Sequence, residues 1–164
     1  MNIIKKVCNY TITNSTFVLK STQINNRIQT TIYDKHGQSI IDQRPLKLVR
    51  NNCRLHGTSY EAALAHAKEF FGENRHKLPI VISMEYGNPC VIFPIFSPYS
   101  ETNCWVVLHP IINIQQHDDE TIVTFSNMTE VTLPIQYKTF NQLYVRAMMY
   151  YKYVLRKRNS SSDF

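Results

Sequence analysis

The hydrophobic period of this chain changes along its length, and those changes limit the fold more tightly than any other feature. Residues 3–13, 16–20 and 27–33 are rich in Ile, Val, Thr and Tyr, and Asp34-Lys35-His36-Gly37 is a turn sequence returning the chain toward 39–42. These read as strands of a meander. Residues 44–50 are expected to form another strand, with Pro45 confining it to a strand start or a sheet edge. From 58 to 72 the period becomes helical. Tyr60, Ala63, Leu64, Ala67, Phe70 and Phe71 recur at helix spacing, Thr58 or Ser59 can cap the start, and Gly72 stops it. Strand signals return at 79–84 and 90–96, around the turn Glu85-Tyr86-Gly87-Asn88-Pro89, and continue at 104–109 and 111–115. Residues 121–125 and 130–135 form a hairpin closed through Ser126-Asn127-Met128-Thr129. The last element is a helix over about 140–157, capped by Thr139 or Asn141. Phe140, Leu143, Tyr144, Ala147, Tyr151, Val154 and Leu155 form its core stripe, and Gln142, Arg146, Met149, Tyr150, Tyr153 and Lys157 form a second, cationic and aromatic face. The expectation is an α+β single domain over 1–158, a mostly antiparallel β-sheet with two main helices (about 58–72 and 140–157), followed by a polar tail at 159–164.

A chain of 164 residues with 43% hydrophobic and 18% charged residues has the composition of one globular domain with its own core. No run reaches the length of a membrane span, and Met1-Asn2-Ile3-Ile4-Lys5-Lys6 leads into alternating residues and not into the apolar core of a signal peptide. A cytoplasmic protein is therefore expected. The four cysteines, Cys8, Cys53, Cys90 and Cys104, lie far apart with no Cys-x-x-Cys pair, which reads as buried thiols and not a disulfide framework.

Charge is segregated along the chain. Between Asp42 and Glu61 there is no acid, while Arg44, Lys47, Arg50 and Arg54 fall there. Residues 78–137 contain no Lys or Arg but carry Glu85, Glu101, Asp118, Asp119, Glu120 and Glu130; residues 131–162 reverse the sign, with Lys138, Arg146, Lys152, Arg156, Lys157 and Arg158 and no carboxylate. The net charge of +6 is thus concentrated, and such a distribution creates a directional field that attracts a polyanion. Nucleic acid is the natural partner. The alternative is a basic helix end satisfying its own dipole through Arg156, Lys157 and Arg158.

Enzymatic constellations are weak. Cys53-x-x-His56 has metal-ligand spacing but no second patterned pair, so a buried Cys53 with a surface His56 is the simpler reading. Asp118-Asp119-Glu120 has the chemistry to bind a hard cation, as in a metal-dependent nuclease, but reads more simply as a solvated turn. The four glycines form no phosphate-binding loop. No cofactor and no metal are expected, and an enzyme is disfavoured.

The stretch Asn52-Cys53-Arg54-Leu55-His56-Gly57-Thr58-Ser59-Tyr60 places a basic, glycine-hinged loop before a helix. Gly57 is open to backbone geometries closed to other residues. Outward-facing amides of Thr58, Ser59 and Tyr60, the hydroxyls of Thr58 and Ser59, and Arg54 beside them would then form an anchor for a phosphate. Equally, Ser and Thr merely cap, and Arg54 is a buried ion pair holding the loop.

This stretch resembles Ser-Cys-Arg-aromatic-aromatic-Gly-Ser-Ser-Tyr of the competence transcription factors of Gram-positive bacteria, the ComK family. Further blocks follow in the same order: Leu78-Pro79-Ile80-Val81, Phe93-Pro94-Ile95-Phe96-Ser97, Cys104-Trp105-Val106, Val123-Thr124-Phe125-Ser126-Asn127, and Leu133-Pro134-Ile135-Gln136-Tyr137-Lys138-Thr139-Phe140-Asn141-Gln142. The resemblance covers roughly residues 45–155. It implies a DNA-binding transcriptional activator of competence genes that recognises A/T-rich promoter boxes through the minor groove. It also implies assembly as a homodimer or tetramer, RNA polymerase as a further partner, and a place in the cytoplasm on the nucleoid. The candidate DNA-binding residues are Arg50, Arg54, Thr58, Ser59, Arg146, Lys152, Arg156, Lys157 and Arg158. Two departures stand out. Family members follow the Tyr with a small residue, Gly, Arg and Lys, where this chain has Glu61-Ala62-Ala63-Leu64. That substitution motivates the alternative of an RNA-binding or protein-interaction module, with Tyr150 and Tyr153 as stacking platforms. Longer members also carry a C-terminal extension used in adaptor-mediated proteolysis; this sequence ends at Phe164, so regulated degradation by that route is placed in doubt.

Overall fold

The computed structural model describes residues 4–161. Ten strands and three helices follow in the order β1 (Lys5–Val7), β2 (Thr16–Ile24), β3 (Arg27–Asp34), β4 (Gly37–Ile41), α1 (Pro45–Leu55), α2 (Tyr60–Phe71), β5 (Ile80–Glu85), β6 (Asn88–Pro94), β7 (Cys104–Val107), β8 (Ile111–His117), β9 (Glu120–Phe125), β10 (Glu130–Leu133) and α3 (Tyr137–Ser161). The strands form a seven-stranded sheet in the order β1-β4-β3-β2-β7-β6-β5 and a three-stranded sheet in the order β10-β9-β8. All pairs are antiparallel except β1 with β4, which is parallel.

The central strands are buried on both faces, which is why they read as continuous apolar runs. In β6, Val91 and Phe93 face one core while Cys90 and Ile92 face the other; in β7, Cys104 and Val106 oppose Trp105 and Val107 in the same way. The first core lies between the large sheet, the small sheet and α3. Phe17 of β2 stacks on Phe125 of β9 at 4.6 Å, and Phe93 meets Phe140 of α3 at 5.7 Å. The second core lies under α1 and α2, where Tyr60 meets the edge of Trp105 at 6.3 Å. A third, smaller cluster joins α2 to α3 beside β5 through Ala67, Phe70, Phe71, Tyr150 and Tyr153. Each large side chain buried here contributes roughly 1.5–3 kcal/mol.

The expectation of two main helices is overturned, because residues 44–50 belong to a third helix and not to a strand. Pro45 occupies the first helical turn, where its missing N–H is no loss. The buried residues Pro45, Leu48, Val49, Asn52 and Cys53 recur at a helical period. The same correction moves Asn52-Cys53-Arg54-Leu55 out of a loop and into the last turn of α1. The initial strand expected over 3–13 shrinks to β1, and Ile3 lies outside the described residues. The final helix runs from Tyr137 to Ser161, so Thr139 and Asn141 are inside it and do not cap it. Of the tail set at 159–164, residues 159–161 are helical and 162–164 lie outside the described residues.

Asn52 ties α1 to the segment leading into β2. Its Oδ1 accepts from the Ile12 N–H at 2.8 Å, and its Nδ2 donates to the carbonyls of Tyr10 at 3.1 Å and Leu48 at 3.0 Å. Every polar atom of this buried amide is satisfied, as a low-dielectric site requires.

Three of the four thiols, Cys53, Cys90 and Cys104, are buried as expected, but Cys8 is exposed, so the expectation of four buried thiols fails there. Burial raises the Cys53 and Cys104 thiols to about 11 and the Cys90 thiol to about 12, from an ordinary 9.0. Burial likewise raises the Tyr60 and Tyr150 phenols to about 12. Because these folded-state values lie above the unfolded ones, the stability they carry is complete below pH 9 and is lost as pH rises toward the folded values. Thiol titration of the native protein at neutral pH should modify Cys8 alone, with the other three reacting only on unfolding; stability in urea should decline above about pH 9.

Candidate nucleic-acid interface

The turn between α1 and α2 is built by its own backbone. Gly57 adopts φ +78°, the Gly57 N–H donates to the Arg54 carbonyl at 3.0 Å, and the Thr58 N–H donates to the Cys53 carbonyl at 3.0 Å. This is the paired-bond closure of a helix C-terminus around a left-handed glycine. Ser59 then caps α2, its Oγ accepting from the Ala62 N–H at 3.0 Å. His56 caps its own helix end through Nδ1 and the Asn52 carbonyl at 2.8 Å, while Cys53 is in the core, so their spacing reflects local folding. No atom within 4 Å would meet a Cβ on Gly57, so Gly57→Ala should cost only the left-handed backbone term, about 1–2 kcal/mol by chemical denaturation.

This geometry shows which groups of the stretch are already used within the fold. The Thr58 amide is committed to the Cys53 carbonyl, while the Ser59 Oγ accepts from the Ala62 N–H and keeps its own O–H as a donor. Glu61 occupies the first turn of α2, where its carboxylate already complements the dipole and repels an anion. Arg50 hydrogen-bonds and ion-pairs with Glu61 and lies over the Tyr60 ring at 4.9 Å. The hydrogen bond from Arg50 holds the Glu61 carboxyl below its ordinary value. Arg54, by contrast, is exposed on the last turn of α1 and is not buried in an ion pair.

A concave, cationic surface begins beside Tyr60. A groove of about 370 Å³ lies between α2, the 72–79 connection and the loop after β6. Tyr60, Leu64, Lys68, Arg75, His76, Lys77, Leu78 and Tyr99 are among its lining residues, and no carboxylate is. Two devices hold its walls. Arg146 of α3 donates from Nη2 to the His76 carbonyl at 2.9 Å and lies over the Phe71 ring at 5.4 Å, pinning the 72–79 connection to the helix. Burial, followed by the neighbouring Arg75, lowers the Arg146 pKa, which marks this as a crowded basic corner. On the other wall, buried Asn103 accepts from the N–H groups of Phe96 at 3.0 Å and Cys104 at 2.8 Å, closing the base of the loop that presents Tyr99, 72% exposed.

The residues singled out from the sequence therefore fall on separate surfaces. Arg50, Arg54, Thr58 and Ser59 sit at the α1–α2 turn, and Arg146 borders the groove. Lys152, Arg156, Lys157 and Arg158 lie on the C-terminal half of α3, where Lys157 stands over Tyr153 at 5.9 Å and Arg158 approaches Gly87. That end lies against Val81 and Met84, whereas the groove lies against Leu78. Of the two stacking residues named for the alternative, Tyr150 is buried at 2% exposure, whereas Tyr153 is half-buried and stacks on Phe70 at 4.6 Å. Lys68, Arg75, Lys77 and Tyr99 escaped the sequence reading. The adjacent Arg75-His76-Lys77 was the available signal; nothing linear joins those residues to Tyr99. Asp118 and Asp119 form the turn between β8 and β9, and among the described residues no group of three His, Cys, Asp or Glu side chains could hold a metal ion. No helix among the described residues is long and apolar enough to cross a membrane.

The family model described as ComK protein matches residues 7–160. A competence transcription factor of Bacillus subtilis (strain 168) is 29% identical over 146 residues, covering 88% of this chain and 74% of that protein. No solved structure matches.

Proposed function

This chain belongs to the ComK family, and from that premise we propose that it is a DNA-binding transcriptional activator of competence genes, recognising A/T-rich promoter boxes as a homo-oligomer in the cytoplasm, on the nucleoid. The observation that carries the reading is the carboxylate-free groove with Lys68, Arg75, His76, Lys77 and Tyr99 in its lining. Arg146 adds to its positive field from the border, bonded to the His76 carbonyl. A narrow A/T minor groove is strongly negative, so inserted Arg and Lys side chains gain electrostatically while reading its width. Tyr99 offers an exposed ring for sugar or base contact. The pairing of Arg50 with Glu61 withdraws one cation from the α1–α2 turn, which shifts the contact surface toward the 75–77 segment.

Anisotropy titrations test the proposal, using a duplex with two A/T-rich boxes, a scrambled duplex and a G/C-rich duplex over a salt series, with and without a minor-groove drug. The boxed duplex should bind at least about tenfold more tightly, lose affinity linearly in log salt, and be displaced by the drug. Equal affinity for all three removes A/T recognition. Absence of salt-sensitive duplex binding removes DNA binding altogether.

A further inference from the structure

The two sheets have four terminal strands, and three of them are protected against pairing. β1 is three residues long and carries Lys5 and Lys6. β5 is flanked by α2 and α3, whose Phe70, Phe71, Tyr150 and Tyr153 close together beside it. β10 has four residues, begins with Glu130 and is followed directly by Pro134. Short length, charge, proline and covering elements are the usual means of blunting an edge.

α3 packs against β8 as well, but β8 is longer than the other three and lacks their charge and proline. Its seven residues, Ile111-Ile112-Asn113-Ile114-Gln115-Gln116-His117, contain no proline, Lys, Arg, Asp or Glu. It hydrogen-bonds only β9, and Ile112 is 54% exposed. The register breaks at a bulge at Ile112 and is regular from Asn113 to His117, so alternate residues of this segment turn their N–H and C=O groups outward, away from β9.

We propose that β8 is the self-association surface of this protein, pairing antiparallel with β8 of a second copy to join two three-stranded sheets into one of six. Antiparallel pairing of identical strands is two-fold symmetric and closes, so it yields a dimer and not a fibre. The neutral sequence opposes no like charges, whereas β1 against its own copy would bring Lys5 and Lys6 face to face. The three acids Asp118, Asp119 and Glu120 sit beyond one end of the strand and limit lateral extension. Strand pairing of this length buries less than the roughly 1,200–2,000 Å² of a standard interface, so a dissociation constant in the micromolar range is expected. The proposal rests on the homo-oligomer part of the reading above and is independent of DNA binding.

Sedimentation velocity of the DNA-free protein across a micromolar concentration series reads the dimer directly. The wild-type chain should show a reversible monomer–dimer equilibrium, and Ile112→Lys/Gln115→Lys should weaken it by at least about tenfold without lowering Tm, since both positions are exposed. With the two-fold axis at Gln115, which places residue 113 opposite residue 117 of the second copy, Gln115→Cys or the Asn113→Cys/His117→Cys double variant should cross-link between copies in a Cys8→Ala background, and a Ser39→Cys control on β4 should not. A strictly monomeric wild type overturns the proposal, as does a dimer that the double lysine variant leaves intact. Duplex titration of the same variant keeps the two readings apart. Retained affinity for a single box with lost self-association leaves DNA binding standing, whereas a normal dimer without duplex affinity overturns only the DNA reading.

Discussion

Changing Arg75 and Lys77 together to glutamate should lower the affinity for a duplex with A/T-rich boxes by about 100-fold at near-physiological salt. Each of the two removed contacts is charge-assisted and worth at least about 1.5 kcal/mol, so the pair accounts for about 3 kcal/mol, or roughly two powers of ten. The slope of log affinity against log salt should fall by about 2, one counterion for each lost phosphate contact. Both side chains lie on a surface connection outside the strands and helices, so the folded structure should survive. The same double reversal at Lys5 and Lys6, on the β1 edge at the other end of the large sheet, should change affinity by less than about threefold. An unchanged affinity in the Arg75/Lys77 variant would show that the polyanion is met elsewhere, and the C-terminal cations of α3 would be the next surface to test.

Asn52→Ala should destabilise the fold by about 3 kcal/mol, the largest expected loss from any single polar side chain here. The substitution leaves the Ile12 N–H and the Tyr10 carbonyl without the partner they have in the folded state, at about 1–3 kcal/mol for each buried group, and adds a small cavity. For a chain of this length the melting temperature should fall by about 6–12 °C. Asn51→Ala is the matched control. Asn51 is half-buried and its one side-chain contact, to Gln43 at 3.4 Å, is long, so its loss should be within about 0.5 kcal/mol. Similar unfolding curves for the two variants would refute the role assigned to Asn52. This residue belongs to the most recognisable stretch of the sequence, and its contacts are those of a structural clamp. A signature marks a folding requirement here as much as a binding one.

The difference between Asn52 and Arg54 illustrates how far linear reasoning reaches. Both lie in one conspicuous segment, yet one is buried against residues 40 positions away and the other is exposed. Helical spacing places them on different faces, but only if the helix is recognised, and Pro45 read as a strand marker hid it. Pro is compatible both with a sheet edge and with the first turn of a helix, and the two environments cannot be told apart without knowing what the flanking apolar residues pack against. Tyr150 was misplaced for a related reason. The second face of α3 is polar enough to suggest solvent, and only the arrival of Phe70 and Phe71 from α2 makes it interior.

By itself the sequence determined the strand-rich α+β character, the strands from β5 to β10, the second and third helices, the burial of Cys53, Cys90 and Cys104, and the family, because period, turn residues and motif order are local properties carried along the chain. The tertiary structure alone decided that the sheet splits in two, that α1 exists as a helix against Leu19 and Trp105, that Glu61 neutralises Arg50, and that Lys68, Arg75, Lys77 and Tyr99 share one groove. Those outcomes depend on which surfaces meet once the apolar faces are buried. A meeting between residues 31 positions apart, such as Lys68 and Tyr99 in one groove, leaves no periodic trace in the chain.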